Sequence, residues 1–136
     1  MTTSSAVDAV AVVHRYVKAF NAGDVDAMSA CFTDDGCILD GMAPHLWRGA
    51  TAPQDWYEGV LAEGRHQEAG GWRVTLSDAV HHDVSGDAAY VVMPATMTFD
   101  HRGRNVTQTG SFFTAALAHS DGVWRIRAWS WTKGRS

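Results

Sequence analysis

The chain has 136 residues, of which 46% are hydrophobic and 19% are charged. This length fits one domain, residues 1–136, and the composition supports a core and excludes a disordered chain. The net charge of -4 is unevenly spread, because Asp121 is the only acidic residue after Asp100. The arginines beyond Asp100 alternate with apolar residues in apparent strands, so we expect a solvated sheet face there and no nucleic-acid partner.

The sequence also indicates where the protein works. No apolar run reaches membrane-spanning length, and the first residues lack the basic segment and apolar core of a secretory signal. The two cysteines, Cys31 and Cys37, are too few for a disulfide framework. We therefore expect a cytoplasmic protein with two free thiols and no membrane association.

The first third of the chain predicts helices. Apolar residues recur at steps of three and four over about residues 5–22, which gives a helix one apolar face. Asp24 suits the N-cap of a second helix, over about residues 25–32. A third helix begins at Thr51-Ala52-Pro53-Gln54, which has the pattern of a capping box with proline in the first turn, and Gly70-Gly71 ends it.

The remaining segments predict a sheet. Residues 37–40 are typical of a short strand and residues 41–50 of a loop. The second half contains four β-forming runs separated by short glycine-containing turns, at about 72–84, 88–100, 105–119 and 123–132. Pro94 and Gly110 are expected at bends or bulges within these runs. Helices followed by a meander of long strands predict an α+β fold, with about three N-terminal helices on a curved, mostly antiparallel sheet.

Two polar residues are the candidates for chemistry in a pocket between these layers. Asp40 follows the apolar strand, so it leaves the core at the strand end, where a carboxylate is placed to act as a general base. From spacing alone, the favoured alternative is that Asp40 caps the Gly41 turn in water. Tyr16 lies in the apolar first helix, where its hydroxyl either stabilises charge on a substrate oxygen or belongs to an ordinary core tyrosine.

Other residue types give weaker indications. His45, in the loop after Asp40, is within reach of a pocket mouth. No spacing of His, Cys or carboxylates is typical of a metal site, and no phosphate-binding glycine loop or serine nucleophile motif occurs, so we predict no metal and no cofactor. We expect the tryptophans of the last run in the core or at a dimer interface rather than against a substrate: Trp124, Trp129 and Trp131.

Several short stretches resemble the start of the nuclear transport factor 2-like (NTF2-like) superfamily. In chain order they are Ala11-Val12-Val13-His14-Arg15-Tyr16-Val17, Asn21-Ala22-Gly23-Asp24, Phe32-Thr33-Asp34-Asp35, Leu39-Asp40 and Trp47-Arg48-Gly49. The stretch Gly122-Val123-Trp124-Arg125-Ile126 is similar to the last strand of these domains. The similarity is closest to the ketosteroid isomerase and SnoaL-like polyketide cyclase branch. The resemblance implies a cone-shaped α+β roll that encloses an apolar pocket and a homodimer formed through the sheet.

The resemblance also implies roles for individual residues. Tyr16 falls on the oxyanion-hole tyrosine of the isomerase branch, and Asp40 falls on its proton-shuttling aspartate. The third residue of that site, a protonated aspartic acid on a later strand, is missing, and Gly110 or Ser111 stands in its place. If Gly110 faces the pocket, Gln108 faces it too, because strand side chains alternate, and its amide would then be the second donor.

Two functions follow as alternatives. The first is a cofactor-free isomerase or cyclase acting on an apolar carbonyl compound, with Asp40 as general base and Tyr16 as oxyanion donor. The second is a non-catalytic ligand-binding or dimerisation module of the same fold. Convergence of both side chains on an enclosed cavity favours the enzyme, whereas a solvated Asp40 and a cavity filled by aromatic rings favour the module. The predicted substrate contacts are Gln108, Trp47, Trp56, His45 and Phe112.

Overall fold

The computed structural model describes residues 6–135. The helices are α1 (Ala6–Ala22), α2 (Val25–Ala30) and α3 (Ala52–Gln67). The strands are β1 (Phe32–Leu39), β2 (Leu46–Arg48), β3 (Ala69–Leu76), β4 (His81–Ser85), β5 (Ala88–His101), β6 (Arg104–Ser120) and β7 (Val123–Thr132). Three helices pack on one large, mostly antiparallel sheet, so the predicted α+β class is confirmed.

The sheet has the strand order β2-β1-β7-β6-β5-β3, and β4 pairs with β5 off this path. Strands β1 and β7 are parallel, and the other pairs of named strands are antiparallel. The predicted run over 72–84 is two strands, because β4 pairs with the start of β5 and β3 pairs with its end. The Ser77 N–H donates to the Pro94 carbonyl (2.9 Å) where the chain passes from β3 towards β4.

The ends of α2 and α3 test the predicted helix caps, and the prediction holds for α2 but not for α3. The Asp24 carboxylate accepts a hydrogen bond from the Ala27 N–H (3.1 Å), which confirms it as the N-cap of α2. Thr51 forms no such cap, because its hydroxyl donates to the Asp55 carboxylate instead (2.8 Å). Helix α3 ends at Glu68 in the left-handed conformation rather than at Gly70-Gly71, which lies inside β3.

Strand β1 is longer than the sequence predicted. It begins at Phe32 rather than at residue 37, and Asp34-Asp35-Gly36 lies inside it. Pairing with β7 holds at Phe32 and resumes at Cys37, with a shift of register between them that leaves Asp34 and Asp35 exposed. The end of β1 also pairs with β2, a short strand within the predicted loop. A strand with irregular pairing, such as β1, is hard to recognise in a sequence, because its apolar residues do not alternate with a period of two.

A bulge bends the sheet at Gly110, as the sequence predicted. Met97 pairs with Gln108 and Ala95 pairs with Ser111, so β6 has one residue more than β5 between these pairs. Gly110 has a φ of 73°, which suits glycine because a Cβ disfavours that conformation. The extra residue changes which side chains of β6 face inward, and this matters for the site.

The concave face of the sheet has two ends. At the one we call the closed end, Val91, Leu117 and Ile126 are each at most 1% exposed and pack in one core with Val13 of α1. At the other, the pocket end, the inward residues of β5, β6 and β7 are Met97, Phe113 and Trp131. Among the described residues, no helix is long and apolar enough to cross a membrane.

Candidate active site

A cavity of about 380 Å³ lies at the pocket end, between the sheet, α1 and α3. Its polar side chains include Tyr16, Asp40 and Glu63, of which Glu63 is exposed. Aromatic rings form much of the remaining wall: Phe20, Trp56, Trp72, Phe113, Trp129 and Trp131. An apolar concavity of this size with few polar groups is typical of a small-molecule site.

Asp40 is half-buried at the point where β1 ends and the chain turns. Its Oδ1 accepts a hydrogen bond from the Gly41 N–H (2.9 Å), and its Oδ2 accepts one from the indole N–H of Trp56 in α3 (3.0 Å). The side chain therefore caps the turn and lines the cavity at the same time. A carboxylate has about four lone-pair sites, so these two bonds orient it and leave acceptor capacity for a substrate proton.

Tyr16 projects from α1 into the pocket end and is 1% exposed. Its hydroxyl makes no hydrogen bond and is covered by neighbouring side chains. Burial raises the pKa of this hydroxyl, the nearby N–H of Trp129 opposes that rise, and the charge of Asp40 adds to it. Tyr16 is accordingly neutral at physiological pH, and its O–H is available as a donor.

One aromatic cluster links Asp40 to Tyr16. Trp56, the donor to Asp40, meets Trp129 edge-on, with ring centroids 4.8 Å apart. Trp129 stacks on Phe113 at 5.1 Å and lies 5.9 Å from the Tyr16 ring. Edge-to-face and offset-stacked pairs at these distances are favourable, so the cluster holds the polar groups in fixed positions.

Trp129 lies in the core, as expected, with Trp131 packed against it, and both residues also line the cavity. Both side chains face the cavity, as strand alternation around Ser130 requires once one of them is placed. The pairing of β6 with β7 has a bulge near Leu117, just after Ile126 on β7. The alternation of side chains on β7 therefore changes faces between Ile126 and Trp129. Alternation alone therefore showed that the two tryptophans share a face, but not which face.

Phe112 and Gln108 lie outside the cavity lining, contrary to the sequence prediction. Phe112 is on the opposite face of β6 from Phe113, is 37% exposed, and Phe113 takes the pocket position. The Gly110 bulge breaks the assumed alternation, so Gly110 is exposed while Gln108 and Ser111 both turn inward. Gln108 is opposite Met97, at the edge of the pocket end, and its Oε1 has no partner.

Trp47 and His45 also differ from the prediction, whereas Trp56 lines the cavity as expected. Trp47 lies on β2 opposite Ile38 and packs beneath α3 near Gly59. His45 is exposed and stabilises the turn after β1, because its carbonyl accepts a hydrogen bond from the backbone N–H of Asp40 (3.2 Å). Neither residue lies in the cavity wall.

Comparison with known proteins identifies the family. A family model described as a SnoaL-like domain matches residues 9–130. The chain belongs to the SnoaL-like family. A ketosteroid isomerase-like protein from Erwinia carotovora atroseptica SCRI1043 has 21% identity and a TM-score of 0.77, and the match covers 97% of this chain and 98% of that one. The family assignment confirms the resemblance to the NTF2-like superfamily.

Two further solved structures share the fold of this SnoaL-like chain. An NTF2-like protein with a cystatin-like fold from Novosphingobium aromaticivorans has 18% identity and a TM-score of 0.71, covering 88% of this chain and 75% of that one. A protein of unknown function from Mycobacterium tuberculosis has 22% identity and a TM-score of 0.76, and the match covers 96% of this chain and 72% of that one. At these identities the likeness concerns the fold.

Proposed function

We propose that this SnoaL-like protein is an isomerase or cyclase acting on an apolar carbonyl compound without a cofactor. The observation that carries the proposal is the placement of Asp40 and Tyr16 on one mostly apolar cavity. Trp56 and the Gly41 N–H fix the Asp40 carboxylate at the edge of that cavity. A fixed carboxylate beside an apolar wall is suited to act as a general base on a bound carbon acid.

The proposed reaction starts with proton abstraction. Asp40 takes a proton from the carbon next to a carbonyl, and the electron pair moves onto the carbonyl oxygen to give an enolate. Tyr16 donates a hydrogen bond to that oxygen, where the negative charge develops. Return of the proton from Asp40 to a different carbon completes an isomerisation. In an aldol-type cyclisation the enolate carbon instead attacks a second carbonyl, and the resulting alkoxide takes the proton from Asp40.

A turnover screen tests this function. Unsaturated ketones and poly-β-ketone mimics are incubated with the wild type, Asp40→Asn and Tyr16→Phe. We expect turnover by the wild type, and a loss of about 100-fold or more in Asp40→Asn, as for removal of a general base. Equal rates for all three proteins would remove both residues from the mechanism.

The alternative is a protein that binds a small apolar ligand without transforming it. The covered hydroxyl of Tyr16 favours this alternative, because a ligand oxygen reaches it only after neighbouring rings move. The two functions are separated by measuring affinity and turnover on the same ketone. Binding with no turnover by the wild type, and an equal affinity in Asp40→Asn, would establish the binding module.

We also propose that the protein forms a homodimer through the convex face of the sheet. Phe112 and Tyr90 are exposed on that face, at 37% and 47%. By register they stand opposite Pro94 and the small Ala116, so the surface is apolar and shallow. An exposed apolar patch of this kind is typical of an interaction surface.

The dimer is tested by measuring molar mass in solution by light scattering. We expect twice the chain mass of 14.8 kDa for the wild type and a monomer for Phe112→Arg. Val80→Arg is the matched control, since Val80 is 64% exposed and precedes β4 at the other side of β5. A dimeric Phe112→Arg protein would place the interface elsewhere.

The cytoplasm remains our proposed compartment. Cys31 and Cys37 are both free thiols in the structure, and free thiols are usual in reducing compartments. Cell fractionation followed by immunodetection of the full chain tests this, and recovery outside the cytoplasmic fraction would contradict it.

A further inference from the structure

The floor of the cavity holds two buried hydrogen-bond donors that lack an acceptor. The Tyr16 hydroxyl and the indole N–H of Trp129 both make no hydrogen bond, and both atoms are covered by protein. Their side chains are 1% and 3% exposed. Buried polar groups are nearly always paired, so an unpaired donor that lines a cavity indicates a missing acceptor.

The two donors lie close to each other. The rings of Tyr16 and Trp129 have centroids 5.9 Å apart, and neither polar atom makes a hydrogen bond. Trp129 has only a donor to offer, because an indole nitrogen does not accept. The Tyr16 oxygen is able to accept from Trp129, but the Tyr16 hydrogen would then still lack an acceptor. A ligand oxygen is the group that accepts from both donors at once.

We infer that the indole N–H of Trp129 is the second hydrogen-bond donor of the site and acts with Tyr16 on one substrate oxygen. The inference rests on the proposed carbonyl chemistry and deepens it. It assigns to Trp129 the role of second donor, which the missing aspartic acid near Gly110 has in the isomerase branch. The substrate class is a ketone whose enolate oxygen is bound by two neutral donors.

Trp129 is held rigidly enough for this role. Its strand runs between β1 and β6, and it pairs with Ile38 on one side and Ala115 on the other. Its ring stacks on Phe113 and is met edge-on by Trp56, the donor to Asp40. One set of packed rings thus sets the position of the donor pair relative to the base. Once a ligand oxygen has reached them between the rings, donors fixed in this way stabilise developing charge.

Ser111 and Gln108 are the competing candidates for the second donor. Both face inward and carry an unpaired side-chain oxygen. Ser111, however, is 0% exposed and lies beneath Gly134 of the C-terminal segment, and neither residue lines the cavity. Trp129 lines it and adjoins Tyr16, so the geometry favours the indole.

The test uses 4-nitrophenol, an aromatic ring bearing an oxygen that ionises near neutral pH and absorbs differently as phenolate. Spectrophotometric titration of the saturated complex gives the apparent pKa of the bound phenol, and titration with protein gives its affinity. Every protein in this test also carries Asp40→Asn, because an ionised Asp40 on the same cavity would repel the phenolate. We expect the Asp40→Asn protein to lower that pKa. Both Tyr16→Phe and Trp129→Phe should weaken phenolate binding by about 10- to 100-fold, as expected for hydrogen bonds to a charged oxygen.

Trp131→Phe is the matched control, because it removes a similar aromatic surface from the same cavity and strand. It should weaken phenol and phenolate alike and leave the pKa of the bound phenol unchanged. A direct readout that leaves both donors in place is the indole N–H resonance of Trp129 in the Asp40→Asn protein, identified by its absence when Trp129→Phe is added. This resonance should move strongly downfield when 4-nitrophenolate binds.

The outcomes separate the two hypotheses. Weaker phenolate binding in Tyr16→Phe alone, with an unmoved Trp129 resonance, would overturn the role of Trp129 and leave the proposed enzyme intact. Failure of the Asp40→Asn protein to bind the phenolate would overturn the assignment of both donors. Intact donor behaviour in a protein that turns over no ketone would uphold the donor pair and contradict the proposed reaction.

Discussion

The two ends of the concave face are built from the same strands and differ in their polar content. At the closed end, the inward residues Val91, Leu117 and Ile126 pack against Val13 with no polar atom among their side chains. At the pocket end, the rings leave a cavity, and it contains a carboxylate and two unpaired donors. Helix α1 contributes to both, through Val13 and Tyr16, which are less than one helical turn apart.

This difference indicates that the closed end serves stability and the pocket end serves function. The closed end fulfils the main requirements of a core, which are burial and close packing. The pocket end instead leaves a cavity lined by a carboxylate and two unpaired donors, as is expected of a functional site. Substitutions at the closed end should therefore change stability, and substitutions at the pocket end should change binding and turnover.

The largest effect is expected at Asp40. Asp40→Asn keeps the size of the side chain and removes the base, so turnover of a ketone identified in the screen should fall about 100-fold or more. Affinity for the ketone should change little. Asp35→Asn, at an exposed carboxylate of β1, is the control and should retain activity. Retained turnover in Asp40→Asn would contradict the assignment of chemistry to the pocket end.

The next effect concerns stability at the closed end. Leu117→Ala leaves a cavity in a fully packed region, so the free energy of unfolding should fall by about 2–5 kcal/mol. Denaturant titration measures it, and 4-nitrophenol affinity should stay near that of the wild type. Leu61→Ala, at a residue 38% exposed on α3, should cost less than about 1 kcal/mol. A large loss of affinity in Leu117→Ala would show that the two ends are coupled.

A smaller effect is expected at Trp56, which positions Asp40 rather than touching the reacting oxygen. Trp56→Phe keeps a ring and removes the N–H bonded to Oδ2, so kcat should fall about tenfold while KM stays nearly constant. An unchanged kcat would reduce Trp56 to a packing role.

The smallest effect appears only at high pH and comes from Tyr16. Burial raises its pKa above the ordinary value, so above about pH 10 the unfolded chain loses this proton while the folded protein keeps it. Stability is therefore fully present below that pH and should fall by about 1.4 kcal/mol per pH unit above it. Unfolding midpoints of the wild type and Tyr16→Phe at pH 9 to 11 measure the difference. Parallel curves would contradict a buried, neutral hydroxyl.

The fold was predictable from the sequence because local signals agreed with one another. The period of α1, the Asp24 cap and the glycine turns each act within a few residues, and the structure confirms them. The exceptions are the long β1 and the separate β3 and β4. Their pairing depends on register shifts set by distant strands, which no local pattern records.

The candidate site was predictable only where a side chain's direction did not depend on register. Asp40, at a strand end, and Tyr16, on a helix face, both line the cavity. The aromatic positions depend on two bulges, one at Gly110 and one before Trp129, and each bulge exchanges the faces of the strand. For this reason simple alternation along β6 predicts Phe112 in the pocket, whereas Phe113 occupies it.

The most direct test of the account is whether the protein exchanges the α-protons of a bound aromatic ketone. 2-Tetralone is incubated with the wild type in D₂O, and loss of its α-proton signals is followed by NMR. Exchange needs only a base at the carbon and donors at the oxygen, so it tests the pocket end whatever the natural substrate is. We predict exchange faster than in buffer and abolished by Asp40→Asn. Exchange at the buffer rate, with 2-tetralone shown to be bound, would contradict the account.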